Sequence, residues 1–478
     1  MQSRLVAIIV VVALWMQGSE CALAQVDAAG AKGNQATIEY DDFMRKVAAN
    51  HPLVAQAKAY ADLAKNELRA ARGGFDPKVG YTRAGKALDS KRYYQVNEVK
   101  GVIPVRAGLN LQGGYEYNVG EFVDPERATG GKGLYFVGAE LSLGRGLFID
   151  SRRAEVLKGK VGLRVADAMV LAYANKLLLN AAKDYWTWYD AEREFGYLKN
   201  GVTLAKQRFD GVKEQVKVGE EAGIDSVEAK ILYQDRLNQL KTAQLAKRNA
   251  YLKLSTYLWE MGYNAMKVDT AEAAPAFAFT GLPEGFFEEG YAEQVRTKSP
   301  ELTMARGEIE QLKIDKRLAV EMLKPEIDLK YQLISKDRYS GIDNGAYYAN
   351  NYRYGATVAM PLLLRKERGK LGQLKTKIVQ QELDLRQAER NAENTWQSTR
   401  NELVILKEQI LRQQDMVRNY EQLREAELIK FSLGESSLFL VNTRENKLLE
   451  AQIKLAELEQ KWQKARATAY SITGQLLP

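Results

Sequence analysis

FSLGESS, residues 431–437, is the one break in a proline-free run from 362 to 477. Upstream of the break, apolar residues recur at spacings of three, four and seven, which predicts a helix with a narrow apolar seam. Downstream, apolar residues stand seven apart with a second set between them: Val441, Leu448, Leu455, Trp462 and Ala469, with Ala451, Leu458 and Ala465. The pattern predicts two coiled-coil helices folded back on each other, the first, over 364–432, on the order of 100 Å long.

The first half of the chain carries a second copy of this design. Two prolines recur at the same interval in each half: Pro52 with Pro77, and Pro300 with Pro325. Val218-Gly219-Glu220 likewise corresponds to Leu433-Gly434-Glu435. We therefore expect a first repeat over 25–262, a connecting segment over 263–285 and a second repeat over 286–475.

Residues 1–24 have the features of a secretory signal peptide, with Arg4 before an apolar core and Ala22-Leu23-Ala24 before the cleavage point. Cys21 raises the alternative of a lipoprotein, but the glutamate beside it fits that signal poorly. We expect cleavage after residue 24. A mature chain without Cys21 contains no cysteine, which excludes disulfides and thiolate chemistry.

Composition argues against catalysis, cofactors and nucleic acid. The net charge of +8 is modest for 478 residues, and basic and acidic residues alternate along the helical runs without a basic patch. His51 is the only histidine, and neither a second histidine nor a mature cysteine exists to join it, so metal sites built from His and Cys, and Cys-His pairs, are excluded. The glycines of 129–133 lack the spacing of a phosphate loop. The aromatic cluster at 185–189 is interpreted as packing rather than a ligand site.

After residue 24 no stretch approaches the ~18 continuous apolar residues of a membrane helix. Helical patterns cover 36–72, 148–215, 224–259 and 286–323. Segments with period-two alternation lie between them, which predicts strands: Val79 and Tyr81; Val105, Ala107, Leu109 and Leu111; Tyr135 to Leu143; Ile327 to Tyr331; and Tyr352 to Met360. The tyrosines at the ends of these segments fit either an aromatic girdle at a membrane or a soluble hairpin.

This order resembles the TolC family of bacterial outer-membrane efflux and secretion channels. The resemblance covers nearly all of the mature chain and includes residues 143–154 and 360–370, where strand passes into helix, and the Gly-Glu turns at 219 and 434. It implies a mainly α-helical chain of long coiled-coil hairpins that forms a homotrimer. Each protomer would add four strands to one transmembrane β-barrel in the outer membrane of a Gram-negative bacterium, with its helices forming a tunnel through the periplasm.

The resemblance also implies a function without catalysis. The trimer would be a passive conduit in a tripartite efflux or type I secretion system, working with a periplasmic adaptor protein and an inner-membrane pump of the RND or ABC type. Drug efflux, metal efflux and protein secretion all remain open. The turns at Gly219, Glu220, Gly434 and Glu435 are the expected docking sites for the adaptor.

The sequence departs from the family in two places. Between Pro77 and Gly138 it has about twice the spacing found between Pro325 and Gly355, so the first half carries an insertion, either an extracellular loop or an extra hairpin. Some family members also narrow the periplasmic tip with an aspartate ring. Leu440 and Thr443 occupy those positions here, and Asp225 stands at the equivalent place in the first repeat, so these three residues are the candidate gate. The alternative is that Val441 and Leu448 pack in the coiled coil and Leu440 gates nothing.

A soluble periplasmic coiled-coil adaptor or scaffold is the alternative function. It explains an exported, helical chain, but not paired strand segments at matching places in both halves. An enzyme is a third alternative, disfavoured by the residue inventory.

Overall fold

A computed structural model describes residues 39–219, 221–260, 262–265, 275–336 and 350–475. The expected signal peptide lies outside these residues. The helices are Tyr40–Asn50 (α1), Pro52–Arg72 (α2), Ser151–Lys217 (α3), Gly223–Ser255 (α4), Tyr291–Lys298 (α5), Pro300–Glu321 (α6), Arg365–Ser432 (α7) and Leu438–Ile472 (α8). The strands are Lys78–Leu88 (β1), Lys91–Pro104 (β2), Leu109–Val119 (β3), Leu134–Ser142 (β4), Glu326–Ser335 (β5) and Tyr352–Ala359 (β6).

Two very long helices organise the protein. α3 has 67 residues and α7 has 68, each on the order of 100 Å. Near the sheet, α3 packs beside α2 and α6, and at the far end beside α4 and α8, while α7 packs on α6 and α8. Four helices therefore lie side by side at either level. The predicted turn at 431–437 is confirmed, because α7 ends at Ser432 and α8 begins at Leu438.

The lone histidine has a local structural role. His51 lies between α1 and α2, and its Nδ1 accepts a hydrogen bond from the Leu53 backbone N–H at 3.1 Å. Pro52 occupies the first turn of α2, where a missing N–H costs nothing. Burial lowers the pKa of His51, which keeps the ring a neutral acceptor.

The main hydrophobic core lies where α1, the middle of α3 and the end of α4 meet. Tyr185, Trp188 and Tyr189 are fully buried there, beside Phe43 of α1 and Leu254 of α4. Rings of this cluster contact edge to face or tilted, with centroids 5.2–5.5 Å apart. The interpretation of residues 185–189 as packing is therefore confirmed.

The strands form one antiparallel sheet in the order β1-β2-β3-β4-β5-β6. Four strands come from the first half and two from the second, so the expectation of four per protomer is too low. The insertion after Pro77 is the cause, and it forms an extra hairpin rather than a loop. The predicted alternation at Val105 and Ala107 is not strand: Ala107 has φ 63°, and the chain turns here between β2 and β3.

The two faces of the sheet differ sharply in polarity. The strand register places large, exposed apolar side chains on one face: Val79, Tyr81, Val99, Ile103, Leu111, Val137, Leu329, Tyr331, Tyr352, Tyr354 and Val358. The opposite face carries most of the charged and polar side chains: Glu98, Lys100, Gln112, Glu116, Glu140, Asp328, Lys330, Gln332 and Arg353.

Among the described helices, none has an apolar, uncharged stretch long enough to cross a membrane.

Candidate functional site

The two hairpin turns lie at the end of the helices far from the sheet. Gly219 has φ 80° and Gly434 has φ 76°, the left-handed region that only glycine enters cheaply. A Cβ at either position would meet nothing within 4 Å, so backbone conformation alone favours glycine. In the second turn the Glu435 N–H donates to Lys430 O at 2.9 Å, which satisfies a carbonyl at the end of α7.

The second turn has an additional polar brace, formed by Glu427, Ser436 and Arg444. Glu427 of α7 accepts from the Ser436 hydroxyl at 2.5 Å and from Arg444 Nε of α8 at 3.3 Å. The hydrogen bond from Ser436, followed by that from Arg444, lowers the pKa of Glu427. A charged carboxylate therefore joins both helices across the turn.

A guanidinium joins the first helical hairpin to the second. Arg208 of α3 donates to Asn442 Oδ1 and to both carboxylate oxygens of Glu445 on α8, each at 2.7 Å. Both charged side chains are largely buried, at 15% and 17% exposure. Arg236 of α4 adds a hydrogen bond to Asn446. Bidentate contacts between a guanidinium and a carboxylate fix the relative orientation of the two side chains as well as their distance. The two hairpins are therefore held in one register near their turns.

The predicted gate residues fall on two different helices. Leu440 and Thr443 lie three residues apart on α8 and so share one face. Leu440 is 40% exposed, whereas the neighbouring Val441 is fully buried, and the Thr443 hydroxyl donates to Phe439 O at 2.8 Å. Asp225 lies half-buried in the first turn of α4. The prediction that Val441 packs inside the coiled coil is confirmed.

Of the four predicted docking residues, Gly219, Gly434 and Glu435 lie on the outer surface of the turns, and all three are exposed. Glu220 falls outside the described residues. The described part of the chain contains no group of three or more His, Cys, Asp and Glu side chains that could hold a metal ion.

Sequence reasoning missed the Arg208 contact and the brace at Glu427. Arg208 and Glu445 are more than two hundred residues apart, and nothing in local spacing pairs them. The usable signal was the repeat itself, since Arg208 precedes Gly219 by as many residues as Glu445 follows Gly434. Equal distances from two turns place the residues at the same height along antiparallel helices.

The polar face of the sheet carries its own cross-strand network. Arg353 of β6 donates to Gln332 of β5 at 2.8 Å and pairs with Glu116 of β3. The Arg353 guanidinium also lies 5.7 Å from the ring centroid of Phe136. These contacts connect four strands, β3 to β6, on the side opposite the apolar face.

Comparison with known proteins identifies this fold. The chain is similar to the CmeC outer membrane channel of Campylobacter jejuni, with TM-score 0.66 and 12% identity over 96% of this chain and 94% of that one. It is similar to the outer membrane protein VceC of Vibrio cholerae, with TM-score 0.63 and 13% identity over 91% and 95%. The open state of the MtrE outer membrane channel of Neisseria gonorrhoeae gives TM-score 0.59 and 12% identity over 96% and 98%.

No family model and no curated protein sequence matches the chain. The structural likenesses show the TolC-like fold that the sequence resembles.

Proposed function

We propose that the chain is the outer-membrane channel component of an efflux or type I secretion system, a passive conduit from the periplasm to the cell exterior. One observation carries the proposal: a sheet with one exposed apolar face and one polar face continues directly into helices on the order of 100 Å long. A sheet of that kind suits lipid on one side and water on the other. The helices supply the length of a tunnel.

Water is a poor solvent for the apolar face. Val79 is 81% exposed, Tyr354 75% and Val358 71%. A contiguous patch of this kind on a soluble protein promotes aggregation, whereas lipid covers it at no cost. The soluble adaptor or scaffold would leave this face uncovered, so we prefer the membrane channel. A channel needs no catalytic residue, and none is assigned.

Open sheet edges require more than one copy of the chain. Unpaired N–H and C=O groups cannot lie in hydrocarbon, so the strands must close into a barrel. The resemblance supports a homotrimer, built from repeats over 25–262 and 286–475 joined by 263–285. The solved structures with this fold are described as outer membrane channels, and we place this protein in the Gram-negative outer membrane with its helices in the periplasm.

The turns at Gly219, Glu220, Gly434 and Glu435 form the periplasmic tip in this proposal. A periplasmic adaptor would dock there and connect the channel to an inner-membrane pump of the RND or ABC type. A wide tunnel makes few specific contacts with its cargo. Selectivity among substrates is therefore expected in the pump.

The membrane assignment is tested by fractionation. We expect the mature chain to sediment with outer membranes, to stay there after an alkaline wash, and to give a trimer in detergent by light scattering. A protein released by the wash as a monomer of full helix content would refute the channel and favour the soluble scaffold.

The gate is tested by conductance of the isolated trimer. A ring of Leu440 side chains would narrow the tip by excluding water, where an acidic ring would attract cations. Leu440→Ser should raise conductance, with weak block by trivalent cations. Strong block of the unmodified channel, no change in Leu440→Ser and loss of block in Asp225→Asn would place the constriction at Asp225 instead. Thr443→Ala tests the third candidate, which shares this face of α8, and a change in conductance in that variant alone would place the constriction at Thr443.

A further inference from the structure

The sheet ends at two exposed edge strands. All eleven residues of β1 are exposed, and β6 is exposed at seven of its eight positions. β1 runs away from the helices and β6 runs back toward them, because six antiparallel strands alternate in direction. A β1 strand placed beside the β6 strand of a second copy would therefore be antiparallel, like the other pairs in the sheet.

The strand register gives the tilt of the sheet without reference to any partner. One row of paired residues crosses all six strands. It begins at Lys78 of β1 and continues through Val102, Gln112, Gly138 and Gln332 to Arg353 of β6. Lys78 is the first residue of β1, at the helix side, but Arg353 lies six residues before Ala359, the helix-side end of β6. Five strand spacings of ~4.8 Å and six residues of ~3.3 Å give a tilt of roughly 40°. That value lies inside the usual range for closed barrels.

The same tilt lets six strands cover the width of the helical layer. At roughly 40°, six strands of ~4.8 Å spacing occupy about 38 Å of circumference. Four helices side by side, at 8–10 Å between axes, occupy about 32–40 Å. The six-stranded sheet and the layer of four helices therefore have similar widths.

We propose that β1 and β2 are structural strands of the barrel and that β1 pairs with β6 of a neighbouring copy. This proposal rests on the channel function above. Six strands from each of three copies give eighteen strands and a barrel roughly 36 Å across. The hairpin that the sequence showed as an insertion thus becomes the edge at which the protomers join.

The contact between β1 of one copy and β6 of the next is called the seam. The side chains of the two strands match in polarity across it. If the helix-side ends meet, Lys78 lies opposite Ala359 of the next copy and Gly80 opposite Thr357, all on the polar face. Val79 then lies opposite Val358 on the apolar face. Arg83, the one basic residue of β1 on that face, lies opposite Tyr354, whose ring shields the charge from acyl chains.

Cysteine cross-linking tests the seam in the full-length protein. The background is Cys21→Ser, which leaves the chain free of cysteine. Gly80→Cys with Thr357→Cys is the seam pair, and a Cβ at Gly80 meets nothing within 4 Å. Paired Cβ atoms on adjacent strands lie ~4.5–5.5 Å apart, within reach of oxidation or a short bis-maleimide. We expect covalent trimers on a denaturing, non-reducing gel.

The matched control is Gln112→Cys with Thr357→Cys. It reports the rival closure, in which β1 and β2 stay outside the barrel and β6 of one copy pairs with β3 of the next. We expect at least about tenfold less cross-linking from this pair. More cross-linking from the control than from the seam pair would overturn the proposal while leaving the channel intact.

A second seam pair, Thr82→Cys with Gly355→Cys, covers the case in which the first variant does not fold. No cross-linking in either seam pair, in an oligomer that light scattering finds intact, also overturns the seam. A soluble monomer instead refutes the channel itself, so the two failures are distinguishable.

Discussion

The two hairpin turns share one backbone conformation and are stabilised by different interactions. Seven residues before its glycine and ten after it, the first turn has Val212 and Ala229, both buried. At the same two positions the second turn has Glu427 and Arg444, which hydrogen-bond to each other, and Ser436 completes the brace. The two turns therefore share a glycine and differ in the contacts that hold the helices together beside it.

The comparison separates the feature that both turns need, a glycine in the left-handed conformation, from the contacts between the flanking helices, which differ. The left-handed glycine has no substitute at the same cost, so it recurs. The contact between the flanking helices is met by apolar burial in one repeat and by charge in the other. Apolar burial is insensitive to pH, whereas a carboxylate brace requires an ionised Glu427. The two turns should therefore respond differently to pH and alike to glycine substitution.

Arg208→Ala, which removes the link between the two hairpins, is expected to cause the largest change in hydrogen exchange near the turns. The change leaves Glu445 and the buried Asn442 without their donor, at a cost of about 1–3 kcal/mol. Local opening of α8 near Glu445 should increase by about 5–150-fold. Hydrogen exchange of amides 441–449 in the detergent-solubilised protein measures it.

Arg412→Ala is the matched control for that prediction. Arg412 pairs with Glu408 on the surface of α7, at 75% and 54% exposure, and exposed pairs contribute little. Equal exchange in the two variants would mean that the Arg208 contact does not hold the hairpins together.

An intermediate effect is expected from alanine at the turn glycines. Gly219→Ala and Gly434→Ala each force a Cβ into the left-handed region, at about 1–2 kcal/mol. Exchange in the affected turn should rise by about 5–30-fold, equally in both, because neither added Cβ meets an atom within 4 Å. Gly434→Asn should cost less, since asparagine tolerates this conformation. A large inequality between the two alanine variants would show that the turns are not equivalent.

The smallest change in hydrogen exchange near the turns is expected when the pH is lowered. Because the folded pKa of Glu427 is lowered from 4.5, its contribution to stability is complete above that value and is lost as pH falls through the folded pKa. Protection factors at 436–444 should fall on acidification, and those at 223–229 should change less. Glu427→Gln should lower protection at neutral pH and abolish the pH dependence. An unchanged pH profile in Glu427→Gln would assign the effect to another group.

The long helices and their break at 431–437 followed from the sequence because they depend on local periodicity. Heptads report helix faces directly, and left-handed turns select glycine. The extra hairpin could be predicted from the sequence only in part. The spacing after Pro77 indicated an insertion, but β2 mixes Val, Lys, Glu and Asn without clean alternation. Pairing with β1 and β3, rather than its own pattern, makes this segment a strand.

The side-chain contacts near the two turns could not be predicted from local sequence patterns. Arg208 sits among other charged residues of α3, and its sequence neighbourhood is that of a solvated helix face. Only the packing of α3 against α8 distinguishes it. Leu440 and Asp225 were identified through resemblance, which aligns positions along a helix but does not say which of them faces water.

The pairing of β4 with β5 sets an order of events during biogenesis. Ser142 pairs with Asp328, so this step closes a loop of nearly two hundred residues, and long-range closure is slow. The hairpin of α3 and α4 is local in sequence and can form as soon as its residues emerge. On the export route proposed above, the four strands of the first half would wait, with an unpaired edge, until the second half has crossed the inner membrane. On this proposed route, the supply of factors that shield this edge in transit should limit the yield of folded protein more than folding of the helices does.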